Sequence, residues 1–524
     1  MKVFCNGDII CCDDNNSTFR VLIEDKGKIV YLGDEIPDVY SQVEAEDLRG
    51  ACLVPAFADT HIHFEAFSYF LASLDCRDAH DFEELAALID QYLKAHGRDK
   101  VVVGFGCSPH SVREKRLPER NDLDKFTSRP LMIVKYDGHA SVANSSLIDK
   151  MPKVILEEKG FDPASGWFYQ DAFFNAINHI TKSISLPKLF QNMMGGSDYM
   201  ARNGIGLVHA VEGVGFPRDL DVDILRMASL GLPEEFRIYF QTMDVNKVVK
   251  RKMPRLGGCF ATALDGSFGS EDAALRLPYS NNPESKGILF YSQSQVNTFV
   301  RQANREGLQI AMHTLGDAAI DQALVAYEAA LKDFPRDDHR HILIHAAIMD
   351  PPTIEKVASL GIGIALQTPL ICWRQEPMEH LETILGKRAD HLVPLRSMLG
   401  AGLLVSNGSD GPCTMPDPIL GIHAACNHPN PNERISVLDA LKMHTSWGAK
   451  MSFDEEERGT LDEGKVADFV ILDKNPLRVP LEAIKEIKIE ALYLKGRKYT
   501  GQGKSATRLL ARCAVNKIRS LINK

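Results

Sequence analysis

Four histidines and one aspartate have the types and placing that chemistry needs: His61 and His63 in ADTHIHF, His313 in IAMHTLGD, His345 in LIHAA and Asp410 in NGSDGP. The chain holds 17 histidines, so one alone at a strand end says little. These five matter because each closes an apolar run that reads as a β-strand. Only Ile62 separates His61 from His63, and strand alternation turns both rings to one side. If the strand ends converge, the five become one polar cluster. Imidazoles with a carboxylate suit zinc or another first-row divalent ion, with a coordination position left for water. Such an ion lowers the water's pKa, and a carboxylate beside it can take the proton.

Convergence is a matter of fold. Apolar strands are expected at 53–63, 204–212, 236–243, 257–266, 308–317, 341–347, 362–369 and 402–411, with helical patterns such as 295–307 and 318–334 between them. Alternating strands and helices predict a (β/α)8 TIM barrel, whose strand C-termini meet at one mouth. An open dinucleotide-binding sheet is the competing architecture, but Gly104-Phe-Gly106 does not continue to a third glycine and a helix. Residues 64–204 form an insertion after the first strand, with helices and one extra strand at 129–138, placed to cap the mouth. Short strands at both chain ends predict a composite β-sandwich from 1–52 and 455–503, around a barrel spanning 53–454. The segment 504–524 has six basic residues and no acidic one. Leu510, Ala514, Ile518 and Leu521 recur there at helical spacing, which predicts a helix docked on the β-sandwich or on a neighbouring subunit.

Composition narrows the function. At 524 residues, 44% hydrophobic and 25% charged, the chain reads as an ordinary soluble globular protein, not a disordered or fibrous one. A net charge of −10 disfavours nucleic acid and anionic membrane as partners. The 11 cysteines contain no CxxC pair and read as reduced thiols. No apolar run is long enough to span a bilayer and no leader-like segment is evident, so a cytoplasmic location is expected. The expected partner is a small-molecule substrate, with a homo-oligomer possible.

Eight segments carry a family resemblance: GACLVPAFADTHIH, DGHASVANSSL, LDGSFGSEDAALRLPY, HTLGDAAIDQAL, LIHAAIMDP, SLGIGIALQTPL, NGSDGPCTMPDP and GTLDEGKVADFVILD. In order and spacing they resemble the amidohydrolase superfamily, most closely its amidohydrolase-3 branch, which includes N-substituted formamide deformylases. The resemblance implies that His61, His63, His313 and Asp410 hold metal. It makes Asp410 the general base and then acid, with His345 completing the coordination or stabilising the developing oxyanion. The expected reaction is hydrolysis of a non-peptide carbon–nitrogen bond, such as an N-acyl or N-formyl amide. A deaminase on the same scaffold is the nearest rival. A non-catalytic barrel is disfavoured because none of the five positions is lost, and a serine hydrolase because no Gly-x-Ser-x-Gly occurs.

Departures from the family pattern shape the remaining expectations. Many amidohydrolases bridge two metals through a carboxylated lysine on the fourth strand, but residues 256–285 contain no lysine. One divalent ion per chain, zinc above all, is therefore expected, with two if Cys259, Glu212 or Asp265 bridges. A strand cysteine more often simply packs. Ala56 replaces a usual glycine, and Ile344 a frequent glutamate. His139 and Gln367 are expected to face substrate, as are His209 and Glu212, although a structural role competes for the last two. Asp317 is expected to fix its loop, and Trp167, Phe168, Tyr169 and Trp373 to form an apolar wall or plain core.

Overall fold

The computed structural model describes residues 1–522 except 98, 183, 216, 502 and 504, and omits the side chains of 217 and 519–522. Eight parallel strands form one sheet in chain order: β1 (Phe57–Ile62), β2 (Ile205–Glu212), β3 (Glu235–Phe240), β4 (Arg255–Ala263), β5 (Gln309–Thr314), β6 (Ile342–His345), β7 (Gly363–Leu366) and β8 (Val405–Asn407). The sheet curls until its ends meet. Just past β8, the Asp410 N–H donates to the His61 carbonyl (2.8 Å) and the His63 N–H to the Gly411 carbonyl (3.0 Å). All eight expected barrel strands are present.

The first of them is shorter than expected. Residues 53–63 are divided at Ala56, because the two halves have different partners. Cys52–Pro55 pairs with Asp8–Ile10 and Phe469–Leu472 in a second sheet, whereas β1 pairs with β2. Ala56 is thus the crossing point between sandwich and barrel.

Helices wrap the barrel with apolar stripes inward. Gln293–Arg305 buries Val296, Phe299, Val300 and Ala303. Those positions recur at the helical period that one buried face requires. It starts two residues before the expected 295 because Ser292 and Gln295 close a reciprocal capping box.

Both chain ends build the β-sandwich. A four-stranded sheet from residues 2–47 faces a six-stranded sheet that joins residues 8–10, 18–19 and 52–55 to 469–498. Phe4 is in edge contact with Phe469 and Tyr493, ring centroids 4.9 and 5.1 Å away. The aromatic packing ties the N-terminal strand to the C-terminal hairpin.

The insertion departs most from expectation: in place of one strand it holds a six-stranded sheet. In Leu131–Lys135, Leu131 and Ile133 enter one apolar core while Met132 and Val134 enter another. A strand buried on both faces shows no polar–apolar alternation, so its short neighbours escape a periodicity reading.

A C-terminal helix spans Ala506–Ile522, as expected, but it docks on barrel helices Leu186–Arg202 and Leu220–Ala228 rather than on the sandwich. Its buried contacts are Leu509 and Cys513. Leu510, Ala514 and Ile518 face outward, and the side chain of Leu521 lies outside those described. The Asn516 amide donates to the Leu230 carbonyl (2.6 Å) and sets the rotation. All eleven cysteines are free thiols. Among the described residues no helix is long and apolar enough to cross a membrane.

Candidate metal centre

The C-terminal ends of β1, β4, β5 and β6, with the turn after β8, bring their side chains to one point. β1 delivers His61 and His63, ring centroids 5.4 Å apart. Two residues earlier, the buried Asp59 accepts from the backbone N–H of His61 (3.3 Å) and of Ser409 (2.9 Å), so one carboxylate ties β1 to the turn that carries Asp410. Asp410 Oδ1 lies 3.1 Å from His61 Nε2 and 3.6 Å from His63 Nε2. Asp410 (φ 55°) and His345 (φ 66°) both adopt the left-handed backbone region. Non-glycine residues pay strain there, and such strain gathers at functional sites.

β4 reaches the centre through a distortion. Its pairing with β5 slips between Gly258 and Ala263. Gly257 and Gly258 take φ of 124° and 150°, and a Cβ on Gly257 would sit 1.8 Å from the Ala311 carbonyl oxygen. Only glycine permits that approach. The Phe260 N–H donates to the Gln241 side-chain oxygen (3.0 Å) and the Thr262 hydroxyl to the Gly258 carbonyl (2.8 Å), which pins the bulge. The result swings Cys259 into the cluster, its Sγ 3.0 Å from His61 Nε2 and 3.4 Å from His345 Nε2.

Hydrogen bonds assign the tautomers of the two remaining imidazoles. His313 Nε2 lies 3.1 Å from the Gly266 carbonyl, which can only accept, so Nε2 carries the proton and Nδ1 the lone pair. That Nδ1 is buried with no protein partner. Gln367 donates through its nitrogen to the Ala365 carbonyl (3.0 Å), so its oxygen faces His345 Nδ1 at 2.5 Å. His345 Nδ1 therefore donates, and its Nε2 lone pair points into the cluster. A buried, unmatched nitrogen such as His313 Nδ1 costs about 1–3 kcal/mol unless something meets it.

Burial also sets the charge states. It lowers the pKa of His61 and His63 to about 3 and of His345 to about 4, and takes His313 well below the usual imidazole range. All four rings are neutral near pH 7, the form that ligates metal. Burial, helped by the nearby Asp410 charge, pushes the Cys259 thiol well above its usual value. Two overlapping donor sets result: His61, His63, Cys259 and Asp410 in one, and Cys259, His313 and His345 in the other, each with its ligand atoms within 4.8 Å of one another. Nitrogen, sulfur and carboxylate donors in this number fit zinc or a similar divalent ion.

Two apolar cavities flank the cluster, and both touch His139, His313, His345 and Asp410. One, of about 140 Å³, lies among Tyr69, Phe70, Phe105, Phe173 and Phe260. The other, of about 100 Å³, lies among Phe268, Leu315, Ile371, Trp373 and Met378. Trp167 and Tyr169 line a wider vestibule outside, whereas Phe168 is buried in the insertion core. His139 comes from the insertion, held by its N–H to Asp137 (3.2 Å), which pairs with Lys135 (2.8 Å).

The other candidates lie elsewhere. Gln367 stands behind His345, outside the three cavities. His209 is buried inside the barrel near Tyr239, ring centroids 6.1 Å apart. Glu212 accepts from the Glu65 N–H (3.0 Å) at the start of the helix after β1. Neither His209 nor Glu212 lines any of these three cavities. Asp317 fixes its loop by accepting from the Arg276 N–H (2.8 Å). Asp265 does the same from the N–H groups of Ala274, Leu315 and Gly316. The sequence reading missed Asp59 and Phe260. Asp59, two residues before His-x-His on one strand face, was the available signal for the first, and Phe260 had none.

The amidohydrolase family model matches residues 44–498. An N-substituted formamide deformylase of Arthrobacter pascens is 25% identical, with 94% of this chain and 96% of that protein covered. Among solved structures, an uncharacterised metal-dependent hydrolase of Pyrococcus furiosus has a TM-score of 0.73 at 24% identity, with 91% of this chain and all of that one covered. A counterpart from Pyrococcus horikoshii has a TM-score of 0.75 at 22% identity, covering 92% of this chain and 99% of that one. With the family match spanning the whole barrel with its insertion and the C-terminal part of the sandwich, this chain is a member of the amidohydrolase family.

Proposed function

We propose that this metal-dependent hydrolase cleaves the carbon–nitrogen bond of a small, uncharged N-acyl or N-formyl amide with an apolar group on each side of the bond. The observation that carries the reading is the pair of apolar cavities meeting at Asp410 and the histidines. Among the described residues, no lysine or arginine lines either cavity. A substrate carboxylate or phosphate held in either cavity away from the metal donors would meet no lysine or arginine counter-charge, at a penalty of several kcal/mol. The relative from Arthrobacter pascens is named for a bond of this class.

Zinc is the ion we favour, and when bound it supplies a water of lowered pKa and polarises the scissile carbonyl. Asp410 accepts the proton of the attacking water and passes it to the leaving nitrogen, which would otherwise depart as a strongly basic amide anion. His139, where both cavities meet, offers a ring hydrogen bond to the substrate. The phenyl rings and aliphatic side chains around the bond exclude bulk water and hold the two substituents apart.

The test is a panel assayed with zinc-replete protein: N-formyl and N-acetyl aryl- or alkylamines, the same amides carrying a carboxylate, and amino-heterocycles. Amine release from the neutral amides is expected, with kcat/KM at least ~10-fold above the carboxylated analogues. Ammonia release from the heterocycles alone would establish a deaminase instead, and preference for carboxylated amides would refute the reading of the cavities.

A further inference from the structure

We infer that Cys259, as a thiolate, bridges two divalent ions, one held with His61, His63 and Asp410 and the other with His313 and His345. The inference rests on the metal-dependent reading above but not on the choice of substrate, and it replaces the single ion expected from the sequence.

Three observations carry it. First, the donor atoms do not form one shell. They fall into two sets whose only common member is Cys259 Sγ. Second, the set made with His313 and His345 has lone pairs waiting. His313 Nδ1 is buried without a protein partner, and His345 Nε2 is turned inward by the Gln367 hydrogen bond to Nδ1. An ion in the first set alone would leave His313 Nδ1 unmatched. Third, the chain commits a distorted strand to placing this sulfur. Two glycines at positive φ and the Gln241 clamp on Phe260 put Sγ between His61 and His345, at 3.0 and 3.4 Å. A cysteine that served only as packing would need none of this. Neighbouring cations repel, and an anion between them offsets that repulsion. Among residues of β4, only Cys259 belongs to both sets, and it lies on the strand that carries the carboxylated lysine in many amidohydrolases. Thiolate sulfur is a preferred zinc donor and is deprotonated outright on coordination, so loading the pair releases the thiol proton to solvent.

Full-length protein stripped by a chelator and titrated with Co(II) tests this without substrate. Wild type is expected to bind two equivalents and to develop sulfur-to-cobalt charge-transfer absorption in the near ultraviolet. Cys259→Ser should lose that absorption and retain one equivalent or fewer, with Cys259→Ala as the second variant and thermal melting to confirm folding. His63→Asn and His313→Asn should each drop to one equivalent yet keep the absorption, because a bridging sulfur still serves the remaining ion. Cys413→Ser controls for a second nearby thiol, which lines both cavities, and should keep both the absorption and the two equivalents. One equivalent in wild type, absorption surviving in the Cys259 variants, or absorption lost in just one of the two histidine variants overturns the bridge. Folded wild type that binds no cobalt overturns the metal-dependent reading as well. An inactive amide panel alongside two bound equivalents overturns only the substrate assignment.

Discussion

Gln367 lines neither cavity and offers no donor atom to the metal sets, yet it should govern metal affinity. Its oxygen accepts from His345 Nδ1 at 2.5 Å, and the Ala365 carbonyl holds its amide in that orientation. Gln367→Met keeps the volume and removes the acceptor. The buried Nδ1–H then has no partner in the ligating orientation, a loss of about 1–3 kcal/mol. The ring can avoid that loss by rotating or changing tautomer, and it must pay it back to offer Nε2 to an ion. At 1.4 kcal/mol per decade the affinity falls roughly 5- to 150-fold, in line with the ~10–100-fold usual for partners of metal-bound histidine. Competition with a chromophoric chelator reads this directly. Gln367→Glu, which keeps an acceptor in place, should recover most of the affinity and so separate orientation from packing. A folded Gln367→Met protein whose affinity for every bound ion stays within ~2-fold of wild type would refute the reasoning.

Asp410→Asn should keep its shape while losing its basicity. Turnover should fall about 10²–10⁴-fold on any confirmed substrate, and an unchanged rate would remove Asp410 as the base. Gly258→Ala places a Cβ 2.3 Å from Gln241 Cγ at a φ of +150°. Disturbing the clamp on Phe260 should lower stability by about 1–3 kcal/mol in urea unfolding and reduce metal retention, and a wild-type midpoint would show that the bulge tolerates a side chain. Glu234 is buried, with Oε2 accepting from the Ser197 hydroxyl and Oε1 unmatched, and burial raises its pKa from 4.5 to about 8. Folded protein therefore holds a proton that unfolded chain releases above pH 4.5, so this group's contribution falls as pH rises towards 8. Glu234→Gln should gain stability over wild type progressively from pH 5 to pH 8, and parallel melting-temperature profiles would contradict that.

Much of the architecture was legible in the order of residues, for physical reasons that are local. The barrel strands stand out because a parallel strand covered by helices is apolar along its whole length and its helices repeat at 3.6 residues. His61, His63, His313, His345 and Asp410 could be gathered from sequence because each closes such a strand, and strand ends in a barrel share one mouth. The insertion resisted the same treatment. Its strands are short and several are buried on both faces, so five of the six carried no period to read. The C-terminal helix was legible as a helix but not as a contact. Leu510 and Ile518 have the right spacing for a buried stripe, yet Leu509 and Cys513 are the pair that the barrel helices cover.

Cys259 marks the boundary most clearly. Sequence shows that the fourth strand lacks a lysine and contains a cysteine beside two glycines. It does not say which way the sulfur points, because one slipped residue in a strand moves a side chain to the opposite face. The slip between Gly258 and Ala263 depends on Gln241 from the loop after β3 and on the backbone of β5, residues separated along the chain and joined only by closure of the sheet. The same holds for His209 and Glu212, three positions apart on β2. Strand alternation puts them on opposite faces, and the tertiary structure leaves the first buried beside Tyr239 and the second against the neighbouring helix. Residue type and spacing fix which donors are available, whereas direction and protonation depend on contacts that exist only once distant segments have packed.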